Sequence, residues 1–256
     1  SMAVNPEYDA AHEILRIIQF PAAIKVDTFA KGRIDLVEVK IDEGHPLCGR
    51  RLSELTSVYN VNILVCAVRR GDEVIIPSGD FMPEENDIIH ITAPHSELAA
   101  FFKKLGIAEK RIRTVMIIGG GKIAFFLARM LASIGIEVKL VESDRERAET
   151  LSDQLEHVMV INGDGTDSDL LIEEGIDRVD ATVTLTGIDE ENIIISMFAG
   201  TRSVDKVITK VNRFDMVKML TSIGLDCIVS PKNIIANNIL RYVRGLENSA
   251  GSSIQT

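Results

Sequence analysis

The residues with the clearest chemical capacity lie between positions 119 and 124. The apolar run TVMII (114–118) feeds directly into Gly119-Gly120-Gly121-Lys122-Ile123-Ala124, where a helical pattern begins. Gly119, Gly121 and Ala124 satisfy the spacing G-x-G-x-x-G/A. The first position permits a tight strand-to-helix turn, the second lets a pyrophosphate approach the backbone, and the third is small enough for the helix to pack close to a sheet. An open helix N-terminus then offers amide N–H groups and the positive end of a dipole to an anion. Glu142 stands 23 residues after Gly119, at the end of IEVKLV, and is followed by Ser143, Asp144 and Arg145. A carboxylate there accepts both ribose hydroxyls and repels the 2′-phosphate of NADP, which favours NAD or an adenosine nucleotide; Arg145, close by, weakens that exclusion. Glu142 has a plainer alternative, as the cap of a helix starting near Asp144.

Three further groups sit where strands end. Gly163-Asp164-Gly165, followed by Thr166, makes a polar turn after a third strand and is expected on the adenine side of a bound dinucleotide. Its alternative is a helix N-cap turn formed by Thr166 or Asp167. Thr186-Gly187 closes a fourth strand ahead of Asp189-Glu190-Glu191-Asn192, acids that also suit the first turn of a helix. Lys210 ends a fifth strand, within reach of a phosphate or simply in solvent.

Other chemistries lack their residues. There is no G-x-x-x-x-G-K-[ST], no G-x-S-x-G and no HExxH, and none of Tyr8, Tyr59 and Tyr242 has a lysine four positions on. A cofactor loop without a catalytic group points to sensing and not to an enzyme. The competing readings are an NAD-dependent oxidoreductase fragment and an assembly domain with a degenerate site. With 28 basic against 38 acidic residues and a formal net charge of −10, the chain has no general basic face for nucleic acid. No apolar run approaches the ~18–20 residues of a membrane span, and the start lacks a secretory pattern. Cys48, Cys66 and Cys227 are scattered and read as reduced thiols.

The elements that must position these groups follow from periodicity. From Thr114 onward, TVMIIG, IEVKLVES, HVMVING, DATVTLTG, KVITKVN and LDCIVSP are β-branched apolar runs, separated by helical patterns at 121–134, 144–156, 167–174, 189–203 and 213–223. Continuously apolar strands alternating with helices predict a parallel sheet covered on both faces, a Rossmann-like doubly wound α/β domain over residues 112–246. Before it, over 31–109, strands at 35–41, 61–70, 71–77 and 86–93 and a short helix at 96–106 predict a small α+β unit. Residues 1–30 read as an amphipathic helix plus linker, and 247–256 as a tail.

The chain also echoes itself. Residues 4–18 align with 229–243 without a gap, with identities at Val4/Val229, Pro6/Pro231, Ala11/Ala236, Ile14/Ile239, Leu15/Leu240 and Arg16/Arg241. The echo makes the first helix the tail of a preceding copy of the Rossmann-like domain, and the chain a piece of a longer tandem protein. Both helices, 5–20 and 231–244, are amphipathic, and a dimer or larger assembly through their apolar stripes is the expectation.

GGGKIAFFLA, LVESD with Arg145 following, NGDGTD, TLTGIDEEN and VSPKNIIANNILRYVR together resemble the RCK (also called KTN) regulatory domains of Trk potassium uptake systems. GHPLCGRRLSEL and IPSGDFMPEENDIIHI are similar to that family's C-terminal lobe. The resemblance covers nearly the whole chain, and Ala124 stands at the family's third glycine position. It implies a phosphate loop from Gly119 to Ala124, a ribose acid at Glu142 and a ligand turn at Gly163-Asp164. It implies NAD(H) foremost, or ATP/ADP, as the ligand. Its implied partners are a membrane potassium-translocating subunit and further copies of the chain, as dimer or tetramer. The implied place is the cytoplasm, peripheral at the inner face of the plasma membrane. The first helix would be the crossover helix of a preceding nucleotide-binding lobe, and a final C-terminal lobe would follow Arg244.

Overall fold

The structure, a computed structural model, describes residues 5–29, 33–107, 111–202, 204–213 and 216–236. The chain divides into two compact units, one made of residues 1–15 with 113–256 and the other of 16–112.

The first unit holds the parallel sheet. Its strands are β6 (Thr114–Ile118), β7 (Glu137–Glu142), β8 (Val158–Asn162), β9 (Ala181–Thr184), β10 (Lys206–Lys210) and β11 (Ile228–Val229). Between them run α4 (Lys122–Ser133), α5 (Arg145–Gln154), α6 (Ser168–Glu173), α7 (Asp189–Gly200) and α8 (Val217–Ser222). The order across the sheet is β11-β10-β9-β6-β7-β8, and every pairing is parallel. This is the doubly wound order, with its switch point between β6 and β9, where the crossovers leave in opposite directions. Met116, Ile118 and Val141 from the strands pack with Leu171, Ile195 and Ala199 from the helices, which is why these strands read as unbroken apolar runs. A second cluster of Ile193, Val211, Leu220 and Leu225 seats α7 and α8.

The second unit is a five-stranded antiparallel sheet of β1 (Lys25–Phe29), β2 (Ile34–Lys40), β3 (Leu64–Arg70), β4 (Glu73–Ile75) and β5 (Ile88–Ala93), ordered β1-β2-β5-β3-β4. It carries α2 (Leu52–Tyr59) and α3 (His95–Lys104). Leu98, Phe101 and Phe102 of α3 are buried, against strands whose inward residues are Val37, Val39, Ile89 and Ile91. Two features depart from the sequence reading. β1 lies inside the stretch read as linker, because KVDTF is too short for its alternation to stand out; its pairing with Ile34–Glu38 makes it a strand. The HPLCGRRLSEL stretch, left without an element, ends in α2.

Helix α1 (Pro6–Gln19) starts at Pro6, and a helix starts at Pro231, in register with the sequence echo. Ala10, Ala11, Ile14, Ile17 and Ile18 of α1 are all at most 2% exposed. The expected free apolar stripe is therefore corrected for α1, since the chain itself covers that face. The matching stripe beyond residue 236, and the tail 247–256, lie outside the described residues.

Candidate nucleotide site

At the switch point, the carboxyl ends of the strands enclose a cleft of about 570 Å3. It is lined by Ile118, Gly119, Gly120, Gly121, Val141, Glu142, Ser143, Arg147, Asp164, Gly165, Thr166, Leu185, Thr186, Gly187, Ile188, Glu191 and Lys210. A larger hollow of about 710 Å3 sits at the opposite, amino ends of β6, β7 and β8. It has neither the glycine loop nor a helix N-terminus, and ligands of this fold bind at the carboxyl ends.

The loop's glycines are required by contact. Gly119 has φ +99°, and a Cβ there would lie 2.7 Å from the amide nitrogen of Thr186 and 2.9 Å from the carbonyl oxygen of Leu185. The exits of β6 and β9 thus meet backbone to backbone. Gly120 donates its amide to Glu142 Oε2 at 2.7 Å, and a Cβ on it would lie 2.6 Å from that same oxygen. Gly121 is the extended N-cap of α4, and no side chain caps the helix. Its first amides are left for an anion. Ala124 is fully buried, as close helix–sheet packing requires.

Glu142 is already engaged by the backbone. Its Oε1 accepts the Asp144 amide at 2.8 Å while Oε2 holds Gly120. The cap of α5 is a different residue: Asp144 Oδ1 accepts the Arg147 amide at 2.8 Å. Glu142 is thereby a brace between the phosphate loop and the start of α5, still on the cleft wall.

The turn after β8 divides its duties similarly. Asp167 caps α6, accepting from Asp169 and Leu170. Asp164 accepts the amide and the hydroxyl of Thr166, both at 2.8 Å, and those bonds hold its carboxyl below the usual range. Gly163 donates to the Glu142 carbonyl at 2.9 Å, tying the exits of β7 and β8 together.

On the other flank, Asn192 is fully buried and works as a staple. Its Oδ1 accepts the Thr186 amide at 2.8 Å, and its Nδ2 donates to the carbonyls of Thr186 (3.2 Å) and Lys210 (3.1 Å). The Lys210 ammonium donates to the Thr186 carbonyl at 2.6 Å; burial pushes its pKa down, and the charge of Asp189 works against that. Asp189 itself is buried and accepts the amides of Asn212 and Arg213 and the Asn212 side chain. The first turn of α7 therefore holds the β10 exit in place.

Of the residues singled out in the sequence, the cleft wall gathers Gly119, Gly120, Gly121, Glu142, Ser143, Asp164, Gly165, Thr186, Gly187 and Lys210. Lys122, Ile123, Ala124, Asp144, Arg145 and Gly163 are not on it. The Lys122 side chain is mostly exposed, with Glu7 4.0 Å away. Arg145 turns to Glu149, Nε to Oε1 2.9 Å. The arginine on the wall is Arg147. Its signal was available: three positions past a capping aspartate, a helical side chain leans back over the first turn.

Comparison with known proteins fits this geometry. Residues 115–231 match the TrkA-N domain and residues 36–106 the TrkA-C domain. The Trk system potassium uptake protein TrkA of Vibrio alginolyticus is 35% identical over 242 residues, 94% of this chain and 53% of that protein. A TrkA homolog of Archaeoglobus fulgidus is 32% identical over 241 residues, 94% of this chain and 54% of that protein. The chain thus spans about half the length of the curated relatives it matches. Among solved structures, the GsuK RCK domain shares the fold with a TM-score of 0.65 at 21% identity, covering 98% of this chain and 53% of that one. The GsuK channel bound to NAD does so with a TM-score of 0.64 at 20% identity, covering 96% of this chain and 43% of that one.

Proposed function

Because this chain belongs to the TrkA-domain family, a TrkA-C unit followed by a TrkA-N unit, we propose that it is a nucleotide-sensing, non-catalytic regulatory segment of a Trk-type potassium uptake system. One observation carries the reading: an uncapped helix N-terminus, the glycine loop, Glu142, Asp164 and Lys210 converge on one cleft at the switch point of the sheet. Each has a task there. The amides of the Gly121–Lys122 turn take a diphosphate, Glu142 the adenosine ribose, and the Asp164–Thr166 turn the adenine side. NAD(H) is the foremost ligand and ATP/ADP the other. Among the described residues the cleft wall carries no histidine, tyrosine or cysteine to move a proton to a hydride acceptor, and its lysine, Lys210, is engaged by the Thr186 carbonyl.

In this reading the ion path belongs to a separate potassium-translocating membrane subunit, and the chain sits in the cytoplasm at its inner face. Self-association as dimer or tetramer lets nucleotide binding bias that subunit, through the ligand's differential affinity for two arrangements of the assembly. The test is native mass spectrometry of the small molecule that co-purifies, followed by calorimetric titration with NADH, NAD, ADP and ATP. Saturable binding without turnover is expected. Steady NADH oxidation with a small carbonyl substrate, abolished by a substitution in the cleft, overturns the reading in favour of an oxidoreductase.

A further inference from the structure

We propose that Arg147 sets ribose selectivity in this cleft, so that the site admits 2′-phosphorylated adenine dinucleotides that Glu142 alone would reject. The inference rests on the nucleotide reading above and goes beyond it in naming the ligand class.

An acid at the end of the second strand of a doubly wound sheet discriminates by charge. It accepts the two ribose hydroxyls and repels a 2′-phosphate, unless an arginine stands close enough to take that phosphate. Glu142 is well placed for the first task, but its charge is not free. Each of its oxygens already accepts a backbone amide, from Asp144 and from Gly120. The Arg147 Nε lies 3.8 Å from Oε2.

Arg147 is held at both ends. Its amide donates to the capping Asp144, and its Nε donates to the Gly120 carbonyl at 2.5 Å. That bond fixes the guanidinium over the phosphate loop, beside the ribose acid. The two Nη groups make no hydrogen bond among the described residues, and the side chain is 46% exposed on the cleft wall. An oriented guanidinium with its terminal donors unspent, next to a carboxylate already engaged, is a receptor for a phosphate dianion, which it binds as a planar fork. The arginine that sequence spacing suggests for this task, Arg145, is committed to Glu149 and absent from the wall.

The experiment is calorimetric titration of the purified chain and its Arg147→Met and Arg147→Lys variants with NADH and with NADPH. The wild-type chain is expected to bind NADPH within about tenfold of NADH. Arg147→Met should lower NADPH affinity by about tenfold or more, the scale of charge-assisted hydrogen bonds, and NADH affinity by much less. Arg147→Lys should recover part of the NADPH loss. The ratio of the two affinities is the readout, because a general loosening of the loop would weaken both ligands alike. Wild-type binding of NADH with exclusion of NADPH beyond about a hundredfold overturns this inference and leaves the nucleotide reading standing. So does an equal loss of both ligands in Arg147→Met. Failure of NADH, NADPH, ADP and ATP alike to bind the wild-type chain overturns both.

Discussion

At the scale of single residues, the cleft is built from groups with two jobs each. Glu142 braces Gly120 and the start of α5 and also lines the cleft. Glu142→Ala therefore removes the proposed ribose acceptor and also leaves two backbone amides without their partner. The expected loss is roughly 1–3 kcal/mol of nucleotide binding, read by calorimetry, with Glu142→Gln retaining part of it. Gly119 offers a sharper test, since its φ of +99° and its contact with the β9 exit leave no room for a side chain. Gly119→Ala should cost at least about 2 kcal/mol in urea denaturation, from left-handed backbone strain plus displacement of Thr186, and should abolish binding. An alanine variant of wild-type stability would mean that β6 and β9 do not meet as described.

At the scale of elements, α7 is a clamp as much as a crossover. Asn192 satisfies backbone groups at the ends of both β9 and β10. Asn192→Ala leaves them buried and unpaired, and should destabilise the TrkA-N unit by about 1–3 kcal/mol by chemical denaturation. In the TrkA-C unit the corresponding element-level bond joins β3 to the turn before β5. Arg70 Nε and Nη2 grip both oxygens of Asp87 at 2.8 Å, Arg70 Nη1 reaches Glu84 at 2.8 Å, and the Glu84 amide closes on Asp87 at 2.9 Å. Burial by itself pushes the Asp87 pKa up, but the Arg70 bonds, the Glu84 amide and the Arg70 charge outweigh it and hold the carboxyl below its usual value. A carboxyl depressed on folding stabilises fully above its unfolded pKa of about 4, and that stability is lost as pH falls through the lower folded value. The unit should therefore weaken in acid below about pH 4. Arg70→Met, which strands the buried Asp87, should cost about 3 kcal/mol at neutral pH and flatten the acid dependence. Thermal melts across pH 2–7 check both.

At the scale of the whole molecule, residues 4–18 echo 229–243 in sequence, and the chain spans about half the length of the curated relatives it matches. The chain carries a TrkA-C match and a TrkA-N match, preceded by a helix, α1, whose sequence runs in register with residues 229–243. Light scattering at micromolar concentration should show a dimer or larger species, and a stable monomer would count against self-association. Removal of residues 1–19 should lower the melting temperature and promote aggregation, because α1 carries five fully or nearly fully buried apolar side chains whose contacts would be left open.

How much of this was legible beforehand depends on the range of the interaction. The parallel sheet, its helices and the loop Gly119–Ala124 were readable because period and spacing are local: unbroken apolar strands, a glycine turn and a helix start follow one another along the chain. Glu142 was readable because the fold puts its second strand a fixed distance downstream. Which arginine lines the cleft had only a weak local signal, the lean of a helical side chain back over its first turn; the rotation of α5 against the loop decided it, placing Arg147 on the wall and sending Arg145 to Glu149. The staple by Asn192 was not readable, since its partners lie six and eighteen residues away on two strands. β1 was invisible because five residues of weak alternation become a strand only when Ile34–Glu38 pairs with them. Sequence by itself determined the order of elements and the chemistry offered at their ends. Tertiary structure decided which side chains spend that chemistry on the backbone and which leave it facing the cleft, because donors and acceptors are assigned by proximity in space.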